Sequence, residues 1–201
     1  LERDVSWHTA RRFWLAMLDR ALDWFLDTEL HRRRVGQPVH LEAKGQFKLG
    51  DPEFLITGTA DRIDVARDGG VLIYDYKTGV IPSVAQQKLF DRQLDLMALI
   101  AMSGGFRTRD GTALPEAEVA GVGYIGLGSK PEERVRSPDA SELLRTRDQV
   151  AQLLAAYVNG EAGFTARAQM HKETDHSDYD HLARFGEWSV ADQPLKIEVG
   201  R

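Results

Sequence analysis

Cysteine is absent from this sequence of 201 residues. Without thiols, the chain cannot form disulfides, hold a thiolate zinc site or a cysteine-ligated iron–sulfur cluster, or use a cysteine nucleophile. Long apolar runs are also missing, since no stretch reaches the roughly 18 residues that a membrane helix needs. The start is charged and aromatic, unlike a signal peptide, and its first residue is Leu1 rather than methionine. We therefore expect a cytoplasmic segment of a longer protein, with no membrane partner.

The overall charge balance is mildly acidic. The formal net charge is −5, with 28% charged and 42% hydrophobic residues, a balance typical of a globular chain of about one domain. A negative net charge by itself does not favour nucleic-acid binding. A metal-dependent protein that acts on nucleic acid, however, concentrates carboxylates to hold metal and can keep its positive charge local. The composition therefore weakens DNA as a partner without ruling it out.

Hydrophobic periodicity and turn signals predict a mixed sheet flanked by helices. The Asp68-Gly69-Gly70 turn indicates a hairpin, and a helix between the third and fourth strands indicates a parallel crossover. We expect an N-terminal helical segment over 1–36, a core over 37–160 and a tail over 161–201 that packs on the core. The predicted elements are, in order, a helix over 5–34, strands over 39–49, 54–65 and 71–77, a helix over 83–102, a strand over 119–127 and a helix over 141–158.

An acid-x-lysine motif ends the third predicted strand. Side chains alternate along a strand, so Asp75 and Lys77 of Tyr74-Asp75-Tyr76-Lys77-Thr78-Gly79 point to one face. Glu42-Ala43-Lys44 matches the same short pattern, so the motif alone is not specific. The hairpin, however, can place Asp61 beside Asp75. Two adjacent carboxylates repel each other unless a cation joins them, and Mg²⁺ with oxygen ligands is the natural candidate.

These residues carry a resemblance to a known family. Gly58-Thr59-Ala60-Asp61-Arg62-Ile63-Asp64, then Asp75-Tyr76-Lys77-Thr78-Gly79, then Gln93-Leu94-x-Leu96 resemble the RecB-type branch of the PD-(D/E)XK nucleases. The stretch Asp178-Tyr179-Asp180-His181-Leu182-Ala183-Arg184, with Glu187-Trp188, is similar to the end of AddB-type double-strand break repair proteins, which work with an AddA-type helicase–nuclease. The first resemblance covers about residues 40–102.

The resemblance implies a restriction-endonuclease-like α/β fold and a DNA nuclease that uses Mg²⁺ or Mn²⁺. It implies that Asp61 and Asp75 bind metal, with a backbone carbonyl at Tyr76 as a further ligand, and that Lys77 is catalytic. It also implies DNA end processing for recombination, as an exonuclease in complex with a helicase–nuclease subunit. Three features depart from the family pattern. Met97 replaces the usual tyrosine, and no cysteine can hold the iron–sulfur cluster found in many AddB proteins. The family's upstream metal-binding histidine has no match, and His8, in the aromatic helix, is the nearest candidate.

Several site residues have alternative interpretations. We predict that Gln93, Arg62 and Thr78 contact the substrate, although Gln93 could instead bond the sheet backbone. Glu42 is a candidate accessory group that could also be a solvated strand residue. Asp61 and Asp75 could form plain salt bridges, but their joint placement with Lys77 favours a site. The rival functions are a non-catalytic DNA-binding or scaffold module with a nuclease-like fold, and an interaction domain that docks through its N-terminal aromatic helix.

Overall fold

A computed structural model describes residues 7–50, 53–164, 178–189, 191–193, 195 and 197. The chain forms two units, Leu1–Ala151 and Gln152–Arg201. The helix predicted over 1–36 therefore belongs to the same unit as the sheet. The elements are α1 (His8–Val35), β1 (Gly36–Leu49), β2 (Phe54–Ala66), β3 (Val71–Lys77), α2 (Val84–Leu89), α3 (Gln93–Met102), β4 (Phe106–Arg107), β5 (Val119–Gly126), β6 (Glu132–Arg136) and α4 (Ala140–Val158).

The six strands form one mixed sheet in the order β4-β1-β2-β3-β5-β6. Strands β1, β2 and β3 pair antiparallel as successive hairpins, whereas β3 and β5 pair in parallel. The connection between β3 and β5 carries α2 and α3, because parallel neighbours need a crossover rather than a tight turn. The predicted mixed sheet and its parallel crossover are confirmed, and the carboxyl end of β3 lies in the middle of the sheet.

Helices cover the two faces of the central strands. On one face, Trp24 and Phe25 of α1 pack against Leu72 and Tyr74, alternate residues of β3. The other face takes α3, which is apolar nearly all round, as a fully buried helix must be. Its buried residues are Leu94, Asp95, Met97, Ala98, Leu99, Ile100 and Ala101. No helix among the described residues is long and apolar enough to cross a membrane.

The segment predicted as one helix over 83–102 is two helices. The capping box predicted at Ser83 and Gln86 is present and starts α2. The helix ends at Leu89, with Phe90 as its C-cap, and the N-cap of α3 is Arg92. Asp91, one residue before that N-cap, accepts a hydrogen bond on its side chain from the Gln93 backbone N–H at 3.3 Å and so satisfies one donor of the first turn of α3. The break places Gln93 in the first turn of a new helix.

Strands β4 and β6 were not predicted. Strand β6 is rich in charge and lacks apolar alternation, yet its charged side chains bond to both helical layers. Glu133 accepts a hydrogen bond from Arg32 of α1 at 2.8 Å, and Arg136 pairs with buried Asp95 of α3. These long-range partners, rather than hydrophobic alternation, stabilise the edge strand. Strand β4 is only two residues long and offers no periodicity to read.

The Gln152–Arg201 unit contains the end of α4 and a run of turns over 178–187. The indole N–H of Trp188 donates to the Ala183 carbonyl at 2.7 Å, and the Phe185 and Trp188 rings meet edge to face at 5.3 Å. Arg184 pairs with Glu187. The sequence motif that suggested an AddB-type tail is therefore a locally closed turn structure. Three histidines, His171, His176 and His181, recur every five residues in the tail and could be read as a zinc site, but His171 and His176 lie outside the described residues.

Candidate active site

Asp75, Lys77 and Gln93 form a closed triangle at the end of β3. Lys77 Nζ lies 2.9 Å from Asp75 Oδ2 and donates to Gln93 Oε1 at 3.0 Å. The Gln93 amide in turn donates to Asp75 Oδ1 at 2.6 Å. The predicted shared face of Asp75 and Lys77 is confirmed, and Gln93 bonds these two side chains rather than the sheet backbone. Each member of the triangle holds the other two in a single arrangement.

Asp61 lies next to this triangle, where β2 and β3 stop pairing. The last paired residues are Arg62 and Tyr74. One residue further along β2, Asp61 Oδ2 accepts a hydrogen bond from the Tyr76 backbone N–H at 2.8 Å. A side-chain oxygen thus takes the place of a backbone carbonyl of the neighbouring strand. The separation of the two strands places a carboxylate against the backbone of Tyr76. The hairpin therefore brings Asp61 to Asp75, as predicted.

The electrostatics at Asp75 disfavour its charged form. Burial is the largest cause, and Lys77 opposes it, but the nearby charges of Asp61 and Asp91 add to it, so the pKa of Asp75 is raised above its usual 3.8. Asp75 Oδ2 is buried, and beyond its ion pair with the Lys77 ammonium at 2.9 Å it accepts no hydrogen bond from the described residues. A buried carboxylate oxygen with free acceptor capacity, beside a second carboxylate, fits a divalent cation. Among the described residues, no group of three or more acidic or histidine side chains is assembled for a metal.

Glu42 occupies an irregular backbone position opposite Asp61. The pairs Leu41–Arg62 and Ala43–Ala60 flank it, but Glu42 itself is unpaired. Its φ of 54° is in the left-handed region, which is costly for a residue other than glycine. Strain of this kind concentrates at functional sites. The Glu42 side chain is exposed, and its role as an accessory group stays a prediction.

Arg62 does not join the predicted substrate face. Its guanidinium is 4% exposed and pairs twice with Asp64, at 2.6 Å each, while Nη1 donates to Glu29 of α1. Asp64 is two residues along the same strand, so the two side chains share a face and pair there. Arg62 thus points toward α1, whereas Asp75 points toward α3. The substrate-binding role predicted for Arg62 is corrected: its place in the structure is that of a buried link between α1 and the sheet.

Thr78 and Met97 complete the predicted set. Thr78 is exposed directly after Lys77, and its contact with substrate stays a prediction. Met97, which stands at the family's tyrosine position, is 9% exposed. Its side chain fills the space above Gly58, where an added Cβ would meet the Met97 methyl group at 2.5 Å. Met97 therefore serves packing between α3 and β2.

Two further residues support Lys77 and were missed in the sequence. Tyr124 of β5 is fully buried, and its hydroxyl donates to Asp91 Oδ1 at 2.7 Å. Lys77 Nζ lies 5.3 Å from the centre of the Tyr124 ring, within reach of a cation–π contact. Burial, and after it the hydrogen bond to Asp91, raises the pKa of Tyr124 well above its usual range. The signal was a tyrosine on an otherwise aliphatic buried strand, whose hydroxyl must find a partner.

Comparisons with known proteins agree with this geometry. The model of the PD-(D/E)XK nuclease superfamily matches residues 1–175. The chain belongs to the PD-(D/E)XK nuclease superfamily. The six-stranded mixed sheet between helices is the restriction-endonuclease-like fold of that superfamily.

The relatives of this PD-(D/E)XK chain are much longer proteins. An uncharacterized protein of Rickettsia felis is 27% identical over 124 residues, which is 60% of this chain and 14% of that protein. One of Rickettsia bellii is 32% identical over 104 residues, 50% of this chain and 12% of that protein. The chain thus spans about one seventh of the length of these relatives.

One similar solved structure is the crystal structure of SSO0001. It covers 57% of this chain and 50% of its own, with a TM-score of 0.35 and 16% sequence identity.

Proposed function

We propose that this PD-(D/E)XK domain is a metal-dependent deoxyribonuclease that hydrolyses DNA phosphodiester bonds at Asp61, Asp75 and Lys77. The observation that carries the proposal is the triangle of Asp75, Lys77 and Gln93 beside a second carboxylate. A structural ion pair would need only Asp75 and Lys77. Here the half-buried amide of Gln93 also fixes both groups, and Asp61 adds repulsion that a cation would relieve.

The cofactor in this proposal is Mg²⁺ or Mn²⁺. Asp61 and Asp75 would hold it, with the Tyr76 backbone carbonyl as a further ligand, and Glu42 as an accessory group. When bound, such an ion neutralises phosphate charge and makes water a better nucleophile. No cysteine is present to add an iron–sulfur cluster.

The chain's own residues would then divide the remaining work. Lys77 supplies a positive charge toward the scissile phosphate, and charge of this kind, fixed in advance, stabilises the transition state. Gln93 accepts a hydrogen bond from Lys77 and donates one to Asp75. These two bonds fix the positions of the ammonium and the carboxylate. Thr78, exposed beside Lys77, would contact the substrate.

The decisive test is cleavage of end-labelled linear DNA with Mg²⁺ or Mn²⁺ by the chain and its Lys77→Ala variant. Loss of the fixed charge should lower the rate by about a hundredfold or more, on the scale of 2.7–4 kcal/mol for one charge-stabilising group. Lys48→Ala is the matched control, because Lys48 lies on β1 and pairs with Glu53. Equal cleavage by the Lys77 variant and the parent would contradict the proposed site.

We propose further that the longer protein acts as an exonuclease in DNA end processing for recombinational double-strand break repair, together with an AddA-type helicase–nuclease subunit. The support is the tail motif over 178–188 and its closed turn structure. Co-purification of the full-length protein with such a subunit, and its loss when residues 178–188 are replaced, would test this. An unchanged complex would contradict the role of the tail.

A second candidate is a DNA-binding or scaffold module that kept the fold without efficient chemistry. The observation that favours it is Met97, whose methyl group fills space beside Gly58 where the family has a hydroxyl. Mn²⁺ titration by calorimetry separates the two candidates. DNA binding without any Mn²⁺ uptake favours the scaffold, and Mn²⁺ uptake that disappears in Asp75→Ala favours the nuclease.

A further inference from the structure

A cationic cleft lies on the outer strands of the sheet. Its volume is about 350 Å³, and it crosses β4, β1 and β2. Exposed polar side chains line it, and none of them belongs to the site at the end of β3. The lining side chains that can donate hydrogen bonds are Lys44, Gln46, Thr57, Thr59 and Arg107.

Two positive charges face each other in this cleft. Lys44 and Arg107 are directly paired across β1 and β4. Like charges opposite each other destabilise a sheet. Lys48, further along β1, is neutralised by Glu53 at 3.0 Å. Lys44 and Arg107 make no ion pair with any residue that the structure describes, and Arg107 reaches only the Gly111 carbonyl, at 3.5 Å.

This concentration of charge contrasts with the whole chain, which carries a net charge of −5. An anion would remove the repulsion between Lys44 and Arg107. The hydroxyls of Thr57 and Thr59 and the amide of Gln46 add neutral donors. Lysine, arginine and small hydroxyl side chains are the groups that contact phosphates in nucleic-acid complexes.

The cleft adjoins the candidate active site along the strands. Lys44 is paired with Thr59. Thr59 is two residues from Asp61 on β2, and Lys44 is two residues from Glu42 on β1. Two residues of strand span about 7 Å, so this is the distance along β2 between the end of the cleft and Asp61.

We propose that this cleft binds the phosphodiester backbone of the nucleic-acid strand, with Lys44 and Arg107 as its two phosphate contacts. The inference rests on the proposed nuclease function, since it names where the substrate strand continues. The contact is to phosphate and carries no base specificity.

The test measures binding without metal, so that cleavage plays no part. Fluorescence anisotropy with labelled single-stranded and duplex DNA, over a series of salt concentrations, compares the parent chain with Lys44→Ala/Arg107→Ala. The slope of log K against log salt is negative, and each lost phosphate contact reduces its magnitude by about 0.7–0.9, so the magnitude should fall by about 1.4–1.8 in the double variant. Affinity should fall by roughly tenfold or more at low salt. Arg67→Ala/Arg145→Ala removes the same charge from exposed positions elsewhere and should keep the parent's slope.

A charge reversal separates binding from folding. Lys44→Glu creates a cross-strand pair with Arg107 and should raise the melting temperature while it weakens DNA binding further. Unchanged slope and affinity in both Lys44 variants, or a parent that binds no DNA, would overturn the proposal. A further contrary result is that a mononucleotide or inorganic phosphate displaces DNA when its concentration equals that of the DNA phosphate groups. That result would contradict binding of a nucleic-acid strand and would indicate a pocket for free phosphate. Loss of cleavage in the Lys77 variant concerns only the nuclease site, so the two proposals fail separately.

Discussion

Asp75 is the residue at which the fold and the proposed chemistry conflict. Burial, with Asp61 and Asp91 nearby, raises its pKa from the usual 3.8. A carboxyl whose pKa is higher in the folded chain contributes stability below its unfolded pKa and loses it as the pH rises. Near neutral pH the ionised Asp75 therefore costs folding free energy. In the proposed nuclease, this ionised carboxylate is the one that binds the metal.

Asp75→Asn should therefore make the metal-free chain more stable at pH 7 and should abolish cleavage. The gain in the free energy of unfolding should shrink as the pH falls toward 3.8 and below, because the parent carboxyl is then protonated in both states. Urea unfolding at several pH values measures it. Asp23→Asn, at an exposed position of α1, is the control and should change neither quantity. A less stable Asp75→Asn chain at pH 7 would contradict this account.

Tyr124 contacts both Lys77, through its ring, and Asp91, through its hydroxyl. Tyr124→Phe keeps the ring under Lys77 but leaves Asp91 Oδ1 with only the Gln93 N–H at 3.3 Å. A lost hydrogen bond to a charged group costs about 1.5–3 kcal/mol, so the free energy of unfolding should fall by that amount. Tyr74→Phe, on the other face of the sheet, is the control. Equal losses in the two variants would show that the hydroxyl of Tyr124 has no special partner.

At the scale of elements, the sequence predicts whatever local periodicity and turn chemistry determine. The three hairpin strands, α1 and the site on β3 follow from alternation and from the Asp68-Gly69-Gly70 turn. The break between α2 and α3 was missed because its cause is partly distant: Asp91 bonds Tyr124 of β5 as well as Gln93. Strand β6 was missed because Arg32 and Asp95 hold its charged residues. Contacts of this range leave no periodic signal.

The docking of α1 depends on Glu29. This carboxylate accepts from Arg62 of β2 at 2.6 Å and from Arg32 and Arg33 of its own helix. Desolvation would raise the pKa of Glu29, but these hydrogen bonds, above all that of Arg62, lower it to about 2. A depressed carboxyl pKa stabilises the fold above the unfolded value, 4.5, and this stability is lost as the pH falls toward 2.

Glu29→Gln should therefore lower the free energy of unfolding by about 3 kcal/mol at pH 7, since each pKa unit corresponds to about 1.36 kcal/mol. At pH 3 the loss should be less than half as large. Chemical unfolding at both pH values tests this. Glu53→Gln, whose partner Lys48 is exposed, should cost little at either pH. A loss that does not change with pH would indicate packing rather than charge as the role of Glu29.

At the scale of the whole molecule, the proposed nuclease has a net charge of −5 and acts on a polyanion, so the proposal requires local positive charge. The proposed sources of positive charge are a cation held by Asp61 and Asp75, the ammonium group of Lys77, and the cleft with Lys44 and Arg107. Composition could not reveal this, because it averages over the surface. Only the pairing of β1 with β4 brings Lys44 and Arg107, far apart in sequence, side by side.

Metal binding should be visible in the stability of the whole fold. A ligand that binds only the folded chain stabilises it by about 2.7 kcal/mol at a hundred times its Kd. For a domain of this size, that should raise the melting temperature by roughly 5–10 °C. Thermal unfolding with increasing Mn²⁺ should show this rise for the parent and for Asp23→Asn, and none for Asp61→Asn/Asp75→Asn. Because the double variant lacks both carboxylates, an equal rise in all three chains would mean that the ion binds elsewhere, and the proposed metal site would be wrong.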